Sequence, residues 1–315
     1  MYKIIPLRKI WLSFSTLLVV LSIISISVWG LNFGLDFTGG SLLELKIHNQ
    51  ETNVTEIKKA LEPLELSSLV VQPTENQTML LRFQDSREGI HKEVISALES
   101  SYNINDNNNI EGQDISGQAS IEELRFDTVG PSIGEELKSK SINAMILVLI
   151  IIVIYISLVF KKVSKPVSSW KYGIVAIIAL FHDVIITLGI FAVLGEFINL
   201  EINTPFVAAM LTVLGYSVND TIIIFDRIRE NLLKQLDNFA NTINISVNQT
   251  ISRSINTSVT TLLVLLSILF LGGDSIKEFI LALAIGVFIG TYSSIFLASP
   301  LLVVWNNFMS KNKED

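Results

Sequence analysis

Six runs of apolar residues, each long enough to cross a lipid bilayer, constrain this chain more than any other feature. They fall at residues 10–30, 142–160, 173–194, 205–225, 255–271 and 279–305. A helix rises about 1.5 Å per residue, so about 20 residues cross a hydrocarbon core about 30 Å thick. Only 17% of the residues are charged, fewer than the roughly 25% typical of soluble domains. The sequence therefore predicts a polytopic α-helical membrane protein with six transmembrane helices.

Basic residues divide the flanks of these runs into two sides. The two short loops at residues 196–204 and 272–278 hold only Lys277. The opposite flanks hold Lys3, Arg8, Lys9, Lys161, Lys162, Lys165, Lys171, Arg227, Arg229, Lys234, Arg253, Lys311 and Lys313. Since short basic loops stay in the cytoplasm, both termini are predicted to be cytoplasmic.

The first run approaches 20 apolar residues and no small-x-small cleavage site follows, which favours an anchor over a cleaved signal.

The hydrophilic stretch at residues 31–141 predicts a single extracytoplasmic domain. It separates the N-terminus and first helix (1–30) from a five-helix bundle (142–305) with a cytoplasmic tail (306–315). The stretch carries 19 acidic and 9 basic residues, a balance that argues against nucleic acid as a partner. The chain has no cysteine, which excludes disulfides and thiolate metal sites. Its three histidines have no ligand-like spacing, so we predict neither a metal nor a cofactor.

The periodicity of this stretch predicts an α+β domain. Alternating apolar residues indicate strands at 41–47, 66–71, 79–83 and 121–128, and helical spacing indicates helices at 54–63 and 86–100. The order β-α-β-β-α-β is typical of a ferredoxin-like domain, in which two helices cover one face of a four-stranded sheet. Residues 103–117 are rich in asparagine and have no apolar period, which predicts a loop.

Charged residues inside the apolar runs are the strongest candidates for a functional site. Asp220 is flanked on both sides by apolar residues of the fourth run, where a carboxylate costs about 2.5–3.5 kcal/mol to insert. His182 and Asp183 lie mid-way along the third run, and adjacent helix positions point about 100° apart. Two roles remain as alternatives for His182 and Asp183, a proton relay and a hydrogen-bonded packing pair. Asp226 lies where the fourth run meets water, which indicates a helix exit.

Two further patterns concern polar and small residues in the last two runs. The fifth run opens with a polar stripe at i, i+3, i+4 and i+7, which is best explained by facing other helices or water. Its members are Arg253, Asn256, Thr257 and Thr260. In the last run small residues recur every fourth position and predict close helix packing. They are Ala282, Gly286, Gly290 and Ser294.

Three long motifs resemble the SecD/SecF family of protein-export membrane proteins, within the resistance-nodulation-division superfamily. They are GLDFTGG (34–40) after the first run, VGPSIGEEL (129–137) before the second, and GYSVNDTIIIFDRIREN (215–231) closing the fourth. The resemblance extends through nearly the whole chain. It implies a non-enzymatic subunit of the bacterial inner membrane that uses proton motive force, with protons as the coupling ion, to promote export of unfolded preproteins. The implied partners are SecD, the SecYEG channel, the preprotein and membrane lipid.

The family pattern also implies roles for individual residues. The intramembrane acid of the family falls on Asp220, and its arginine falls on Arg253, in a segment that here reads Ser-Arg-Ser-Ile-Asn and so departs at Ser254 and Asn256. Counted from the outer ends, Asp220 and Arg253 differ by about 5 Å in depth, so we predict a proton carrier and its switchable partner. We place a possible relay at Asp183 and His182.

The glycine-bearing motif after the first run is a predicted hinge between the first helix and the outer domain. Its positions are Gly34, Asp36, Gly39 and Gly40, and glycine permits tight turns there.

Two other functions compete with protein export. One is a proton-driven small-molecule efflux pump of the same superfamily, and the other is a passive membrane scaffold.

Overall fold

The computed structural model describes residues 1–48, 53–73, 78–87, 89–102, 120–159, 169–234, 238–273 and 276–311. The predicted loop at 103–117 and the basic residues Lys161, Lys162, Lys165 and Lys313 lie outside the described residues. The chain forms two compact units. One unit comprises Met1–Asn32 with Ser141–Asp315, and the other comprises Phe33–Lys140.

The helices and strands follow one another in an order that separates a helical unit from a mixed one. The helices are α1 (Arg8–Trp29), α2 (Leu35–Thr38), α3 (Val54–Leu61), α4 (Ile90–Ser101), α5 (Pro131–Val159), α6 (Ser169–Ile198), α7 (Thr204–Leu233), α8 (Phe239–Leu271), α9 (Lys277–Ser293) and α10 (Ser299–Lys311). The strands are β1 (Gly40–His48), β2 (Val70–Pro73), β3 (Thr78–Phe83) and β4 (Ser120–Val129).

Six helical segments of the described chain are long and apolar enough to cross a membrane. They are α1, α5, α6, α7, α8 and the continuous stretch formed by α9, a π-helical segment and α10. This confirms the six predicted spans. The π segment, Ser294–Ala298, lies within what the sequence predicts as one regular helix. Such widened turns occur mostly as single insertions in α-helices, often at functional sites.

Helix α8 is longer than its apolar run, since it begins at Phe239 and not at residue 255. The Asn238 side chain caps it by accepting a hydrogen bond from the Asn241 amide at 2.9 Å. The added half is amphipathic, with buried residues such as Ile243 and Val247 on one face. Continuous apolar residues do not identify such a helix, because its polar face lowers the mean hydropathy of the segment.

The polar half of α8 holds the N-terminal segment of the chain. The Asn248 Oδ1 atom accepts a hydrogen bond from the Tyr2 amide at 2.6 Å, and Asn244 Oδ1 accepts one from the Ile5 amide at 3.0 Å. Both side-chain amides also donate to the Tyr2 carbonyl. Ile5 is buried in the apolar core of the bundle. These contacts fix the segment before α1 to α8.

Helices α7 and α9 approach closely because small residues line their contact. A Cβ atom added to Gly290 would lie 2.9 Å from the Cβ atom of Ser217, and one added to Gly286 would overlap Val213. Ala282 is fully buried on the same face of α9. The predicted packing role of the small residues in the last run is therefore confirmed.

The mixed unit is built on a four-stranded antiparallel sheet with the order β2-β3-β1-β4. Its elements follow the chain as β1-α3-β2-β3-α4-β4, the order that the sequence predicts. Alternate residues of β1, such as Leu43 and Leu45, are fully buried in one core with Ile57 of α3 and Val94 of α4. The intervening β1 residues are partly exposed. One face of the sheet is thus covered by the two helices.

Two elements of this unit begin four residues later than predicted, whereas the other boundaries differ by two residues or fewer. Strand β2 begins at Val70 and not at residue 66, because Glu65 and Ser68 adopt positive φ angles of 48° and 55°. That left-handed backbone interrupts an extended chain. Helix α4 begins at Ile90 and not at residue 86, directly after Gly89 with φ of 85°. Apolar residues continue across the turn before β2, Leu66 and Leu69 among them, so the pattern does not reveal it.

Candidate functional site

Asp220 lies inside the helical bundle on α7, and only 6% of its surface is exposed. Asn203 caps the start of α7, accepting a hydrogen bond from the Phe206 amide, and Pro205 occupies its first turn. The Ser254 hydroxyl on α8 donates to Asp220 Oδ1 at 2.5 Å. The other carboxylate atom, Oδ2, is buried and has no hydrogen-bond partner among the described residues. The carboxyl group is therefore only half satisfied.

Ser254 and Arg253 are neighbours on α8 but occupy different faces of it. Ser254 is buried and faces Asp220, while Arg253 is exposed. Within the described parts of the chain the Arg253 guanidinium forms no ion pair. The hydrogen-bond partner of Asp220 in this structure is thus Ser254. The predicted pairing of Asp220 with Arg253 stays a prediction.

The rest of the predicted polar stripe also lies on the exposed face of α8. Asn256, Thr257 and Thr260 are all exposed in this chain. The Thr257 hydroxyl donates to the Arg253 carbonyl at 2.9 Å, and the Thr260 hydroxyl contacts the carbonyls of Asn256 and Thr257. These two hydroxyls are therefore satisfied by their own helix. The outward face of the stripe is available to contact the surroundings of the bundle.

Asp183 is fully buried on α6 and is surrounded by hydrogen-bond donors. His182 Nδ1 lies 3.0 Å from Asp183 Oδ1. The Ser217 hydroxyl of α7 donates to Oδ2 at 2.6 Å, and the Ser293 hydroxyl of α9 lies 2.9 Å from the same atom. The carboxylate thus ties three helices together. We call Asp183, His182, Ser217 and Ser293 the carboxylate clasp.

The clasp and Asp220 are neighbours along α7. Ser217 precedes Asp220 by three residues, and one helical turn separates them. Thr221 follows Asp220, and its hydroxyl lies 2.8 Å from the hydroxyl of Ser294, the first residue of the π segment. The Ser294 hydroxyl also lies 3.4 Å from the Ser217 carbonyl. A continuous group of hydroxyls therefore occupies the α7–α9 contact on either side of Asp220.

Sequence reasoning identified both intramembrane carboxylates but not the serines that bind them. Ser217, Ser254 and Ser293 carry the hydrogen bonds to Asp183 and Asp220. A hydroxyl in a membrane helix usually bonds its own backbone, so a serine alone is a weak signal. Position is the signal that was available. Ser217 lies one turn before Asp220, and Ser254 lies next to Arg253.

The glycine-bearing motif lies in the mixed unit at the start of β1. Gly34 precedes the four-residue helix α2, and Asp36 lies in its first turn. Gly39 and Gly40 have φ angles of 70° and 123°. A Cβ atom on Gly39 would lie 2.8 Å from Pro131 Cα, and one on Gly40 would lie 2.5 Å from the Phe83 carbonyl oxygen. Both glycines are required by backbone conformation and close approach, and a hinge here stays a prediction.

The described residues hold no group of three or more His, Cys, Asp or Glu side chains arranged to bind a metal ion. The arrangement around Asp220 and Asp183 has a different chemistry. Two buried carboxylates and one histidine can bind and release protons, and the surrounding hydroxyls can hydrogen-bond to them in either state. Hydroxyl groups both donate and accept, so they suit such a site. Intramembrane carboxylates generally mark ion pathways and proton relays.

Comparison with known protein families gives two matches, both to SecD/SecF proteins. Residues 112–308 match the family model for the C-terminal part of the protein export membrane protein SecD/SecF. Residues 24–51 match the SecD/SecF GG motif, which includes Gly39 and Gly40.

Curated relatives and solved structures agree with these models. The protein translocase subunit SecF of Thermobaculum terrenum is 40% identical, covering 98% of this chain and 95% of that protein. The subunit of the same name from Sebaldella termitidis is 36% identical, covering 99% and 94%. The crystal structure of SecDF from Thermus thermophilus, a translocon-associated membrane protein, superposes with a TM-score of 0.79 at 32% identity, covering 97% of this chain. This chain spans 39% of that solved chain. The chain therefore belongs to the SecD/SecF family of protein-export membrane proteins, among its SecF subunits.

Proposed function

We propose that this chain uses proton motive force to promote the export of unfolded preproteins across the bacterial inner membrane. The observation that carries the proposal is the state of Asp220. It is a buried carboxyl group in a membrane-crossing helix, with a single donor, Ser254, and an oxygen, Oδ2, that forms no hydrogen bond with any described residue. A carboxyl group placed only for stability is normally satisfied on both oxygens. Asp220 would instead take up and release the coupling proton.

The two neighbouring residues of α8 offer Asp220 two different partners. In this structure the neutral hydroxyl of Ser254 faces Asp220 and the guanidinium of Arg253 does not. Successive helix positions point about 100° apart, so a rotation of α8 about its axis would exchange one side chain for the other. A carboxylate pairs best with the guanidinium, whereas a protonated carboxyl group pairs with the hydroxyl. Proton loading would thereby select the rotational position of α8.

The energy available from the membrane is sufficient for such a motion. Moving one charge across the membrane releases about 2.3 kcal/mol per 100 mV. A two-state element with a gap of a few kcal/mol would be biased by one or two protons. The outer domain, which we propose is ferredoxin-like from its element order and sheet order, would contact the emerging chain. The segment containing Gly34 and Gly39 would be its hinge.

We propose SecD as the partner subunit and SecYEG as the channel. The similar solved structure from Thermus thermophilus is a SecDF chain, and this chain matches 39% of it, so a SecD subunit would correspond to the part that is not matched. The outward face of α8 supports this, because Arg253 and Asn256 are polar and exposed on a helix that crosses the membrane. Such groups require a protein-lined or wet surrounding. Both termini would be cytoplasmic, and lipid would cover the remaining apolar faces.

Export into inverted membrane vesicles tests the proposal. Vesicles containing SecD and SecYEG would carry this chain, Asp220→Asn or the control Asp226→Asn. Asp226 is exposed on the same helix and pairs with Arg229 at 3.6 Å. We expect Asp220→Asn to abolish the stimulation of export by a proton gradient and Asp226→Asn to retain most of it.

The outcome also separates the competing functions. Equal gradient stimulation in both variants would make Asp220 a structural residue and overturn the proposal. If depletion of the chain abolished gradient-dependent dye extrusion but left export unaffected, the chain would be an efflux pump. A passive scaffold predicts that export depends on the presence of the chain but not on Asp220.

A further inference from the structure

The carboxylate clasp contains a titratable pair that the proposed Asp220 switch does not use. His182 and Asp183 are adjacent on α6, and their side chains are 4% and 0% exposed. Adjacent helix positions diverge by about 100°, yet Asp183 turns toward Ser217 and Ser293 while its Oδ1 atom remains 3.0 Å from His182 Nδ1. The pair is thus bonded internally and to two other helices.

The hydrogen bonds of Asp183 define which nitrogen of His182 carries a proton. A carboxylate only accepts hydrogen bonds, so Nδ1 is the donor in the pair when Asp183 is ionised. The neutral ring then has a lone pair on Nε2. That atom is buried, and no described residue forms a hydrogen bond with it. The ring therefore has one satisfied nitrogen and one unused basic nitrogen in the interior of the bundle.

We infer that the His182–Asp183 pair is a second proton-binding site of this chain, separate from Asp220. One proton adds to the Nε2 lone pair of His182 and converts the imidazole to an imidazolium. The proton comes from hydronium, whose O–H bond breaks and leaves water as the N–H bond forms, and the positive ring is balanced by the Asp183 carboxylate at 3.0 Å. The inference rests on the proposed use of protons as the coupling ion, because it adds a second place where the bundle stores one.

The groups that face the pair from neighbouring helices support this assignment. Helix α9 contributes Tyr292, whose ring stacks on His182 with a centroid distance of 6.1 Å. Its hydroxyl lies 3.0 Å from the Ser15 hydroxyl of α1. Helix α7 contributes Ser217 and, one turn later, Asp220. Among the described residues, the ion-pair partner of Asp183 is His182 and not a lysine or arginine, so the positive charge of the pair depends on protonation of the ring.

A purely mechanical role for the clasp would leave a different signature. If Asp183 served only to join α6, α7 and α9 through Ser217 and Ser293, His182 would hold one protonation state under all conditions. If the pair binds a proton, the ring changes state with pH while the helices remain in place. The protonation state of one imidazole therefore distinguishes the two roles.

Nuclear magnetic resonance of the ring nitrogens measures that state directly. The chain has three histidines, so His48→Gln and His91→Gln leave His182 as the single ring. The full-length chain would be labelled with ¹⁵N-histidine, reconstituted in bilayers and measured from about pH 5 to about pH 9, on both sides of the reference value of about 6.5. The unmodified chain, with three ring pairs, checks that the two substitutions leave the His182 signals unchanged.

The expected result is a neutral ring protonated on Nδ1 at high pH and a doubly protonated ring at low pH. Asp183→Asn should remove the doubly protonated species over this range, because the imidazolium loses its counter-charge. Asp220→Asn should retain the transition. Asp183→Glu, which keeps a carboxylate next to the ring, is a milder variant should Asp183→Asn fail to fold, and it should retain the transition.

A ring that stays in one state at every pH, or a transition that Asp183→Asn leaves unchanged, would overturn the inference. Either result is distinct from failure of the proposed function, since this measurement is made without a gradient, a preprotein or export. Conversely, normal export by Asp220→Asn would overturn the proposed function while leaving the titration of His182 as measured.

Discussion

At the scale of single residues, the site depends on an ordinary serine placed beside an unusual aspartate. Ser254 is the sole donor to Asp220 among the described residues. Its hydroxyl can accept a hydrogen bond from the carboxylic acid, but it is a weaker partner for the carboxylate than a guanidinium is, so it can hold protonated Asp220 and release it once the proton leaves. A side chain with that property is a suitable resting partner for a group that gains and loses a proton.

Removal of this hydroxyl is therefore expected to impair coupling. Ser254→Ala leaves the buried Asp220 carboxyl group without its donor, at a cost of about 1–3 kcal/mol. We expect gradient-stimulated export to fall roughly tenfold. The rate of export into inverted vesicles, with and without a proton gradient, measures the effect. Ser252→Ala is the matched control, since Ser252 is exposed on the same helix. Equal effects of the two variants would contradict the role of Ser254.

Sequence reasoning reached the charged half of this site and missed the neutral half. Asp220 and Asp183 stand out because an ionisable group in an apolar run is costly wherever it points. A serine has no such cost, and its direction depends on how the helices are rotated against one another. Ser254 and Ser252 flank Arg253 equally in sequence, but only Ser254 faces α7. Helix rotation is set by tertiary packing, so the distinction requires the structure.

At the scale of elements, the α7–α9 contact leaves no space for a larger residue at its glycines. Gly290→Ala would place a methyl group 2.9 Å from the Ser217 Cβ atom, and overpacking of this kind costs about 1–3 kcal/mol. We expect a lower midpoint of thermal unfolding in detergent, with partial loss of export because Ser217 also holds Asp183. Gly215→Ala on α7 is the control, since no described atom lies within 4 Å of its added Cβ. Unfolding at the same temperature for both variants would refute this prediction.

The turn into β1 makes a similar demand on the mixed unit. Gly40 has φ of 123°, and an added Cβ would lie 2.5 Å from the Phe83 carbonyl oxygen. Gly40→Ala should therefore separate β1 from β3 and increase proteolysis of this unit in the full-length chain. Gly89→Ala is the matched control, because Gly89 also has a positive φ but its Cβ position is open. Comparable digestion of the two variants would show that backbone strain alone, without the clash, explains the glycine.

The elements themselves were largely predictable, and their ends were not. The apolar runs and the alternating stretches located six membrane-crossing helices and the order of the mixed unit. The start of α8 was missed because its first half is amphipathic and is stabilised by contacts with Tyr2 and Ile5, which are distant in sequence. The start of β2 was missed because Glu65 and Ser68 turn left-handed, and neither residue type requires that conformation.

At the scale of the whole molecule, the distribution of basic residues makes a prediction about sidedness. The chain has no cysteine, so single cysteines report on position without a background. We expect Glu123→Cys in β4 to react with an impermeant maleimide added to intact spheroplasts, and Lys234→Cys after α7 to react only in inverted vesicles. Both positions are exposed. Ser252→Cys, on the exposed face of α8, tests whether a position on a membrane-crossing helix also reacts. Reverse labelling of Glu123→Cys and Lys234→Cys would invert the proposed topology.

The unequal burial of the six spans has a consequence for how the protein is made. Helix α5 is the most apolar span and is almost entirely exposed in this chain, whereas α7 is the least apolar span and is largely enclosed by its neighbours. During synthesis α5 can enter the bilayer on its own hydrophobicity. Helix α7, which carries Asp220, precedes α8 and α9 along the chain and is therefore synthesised first, whereas its donor Ser254 is on α8. The residue proposed to drive export is thus the one that makes the insertion of its own helix depend on later segments.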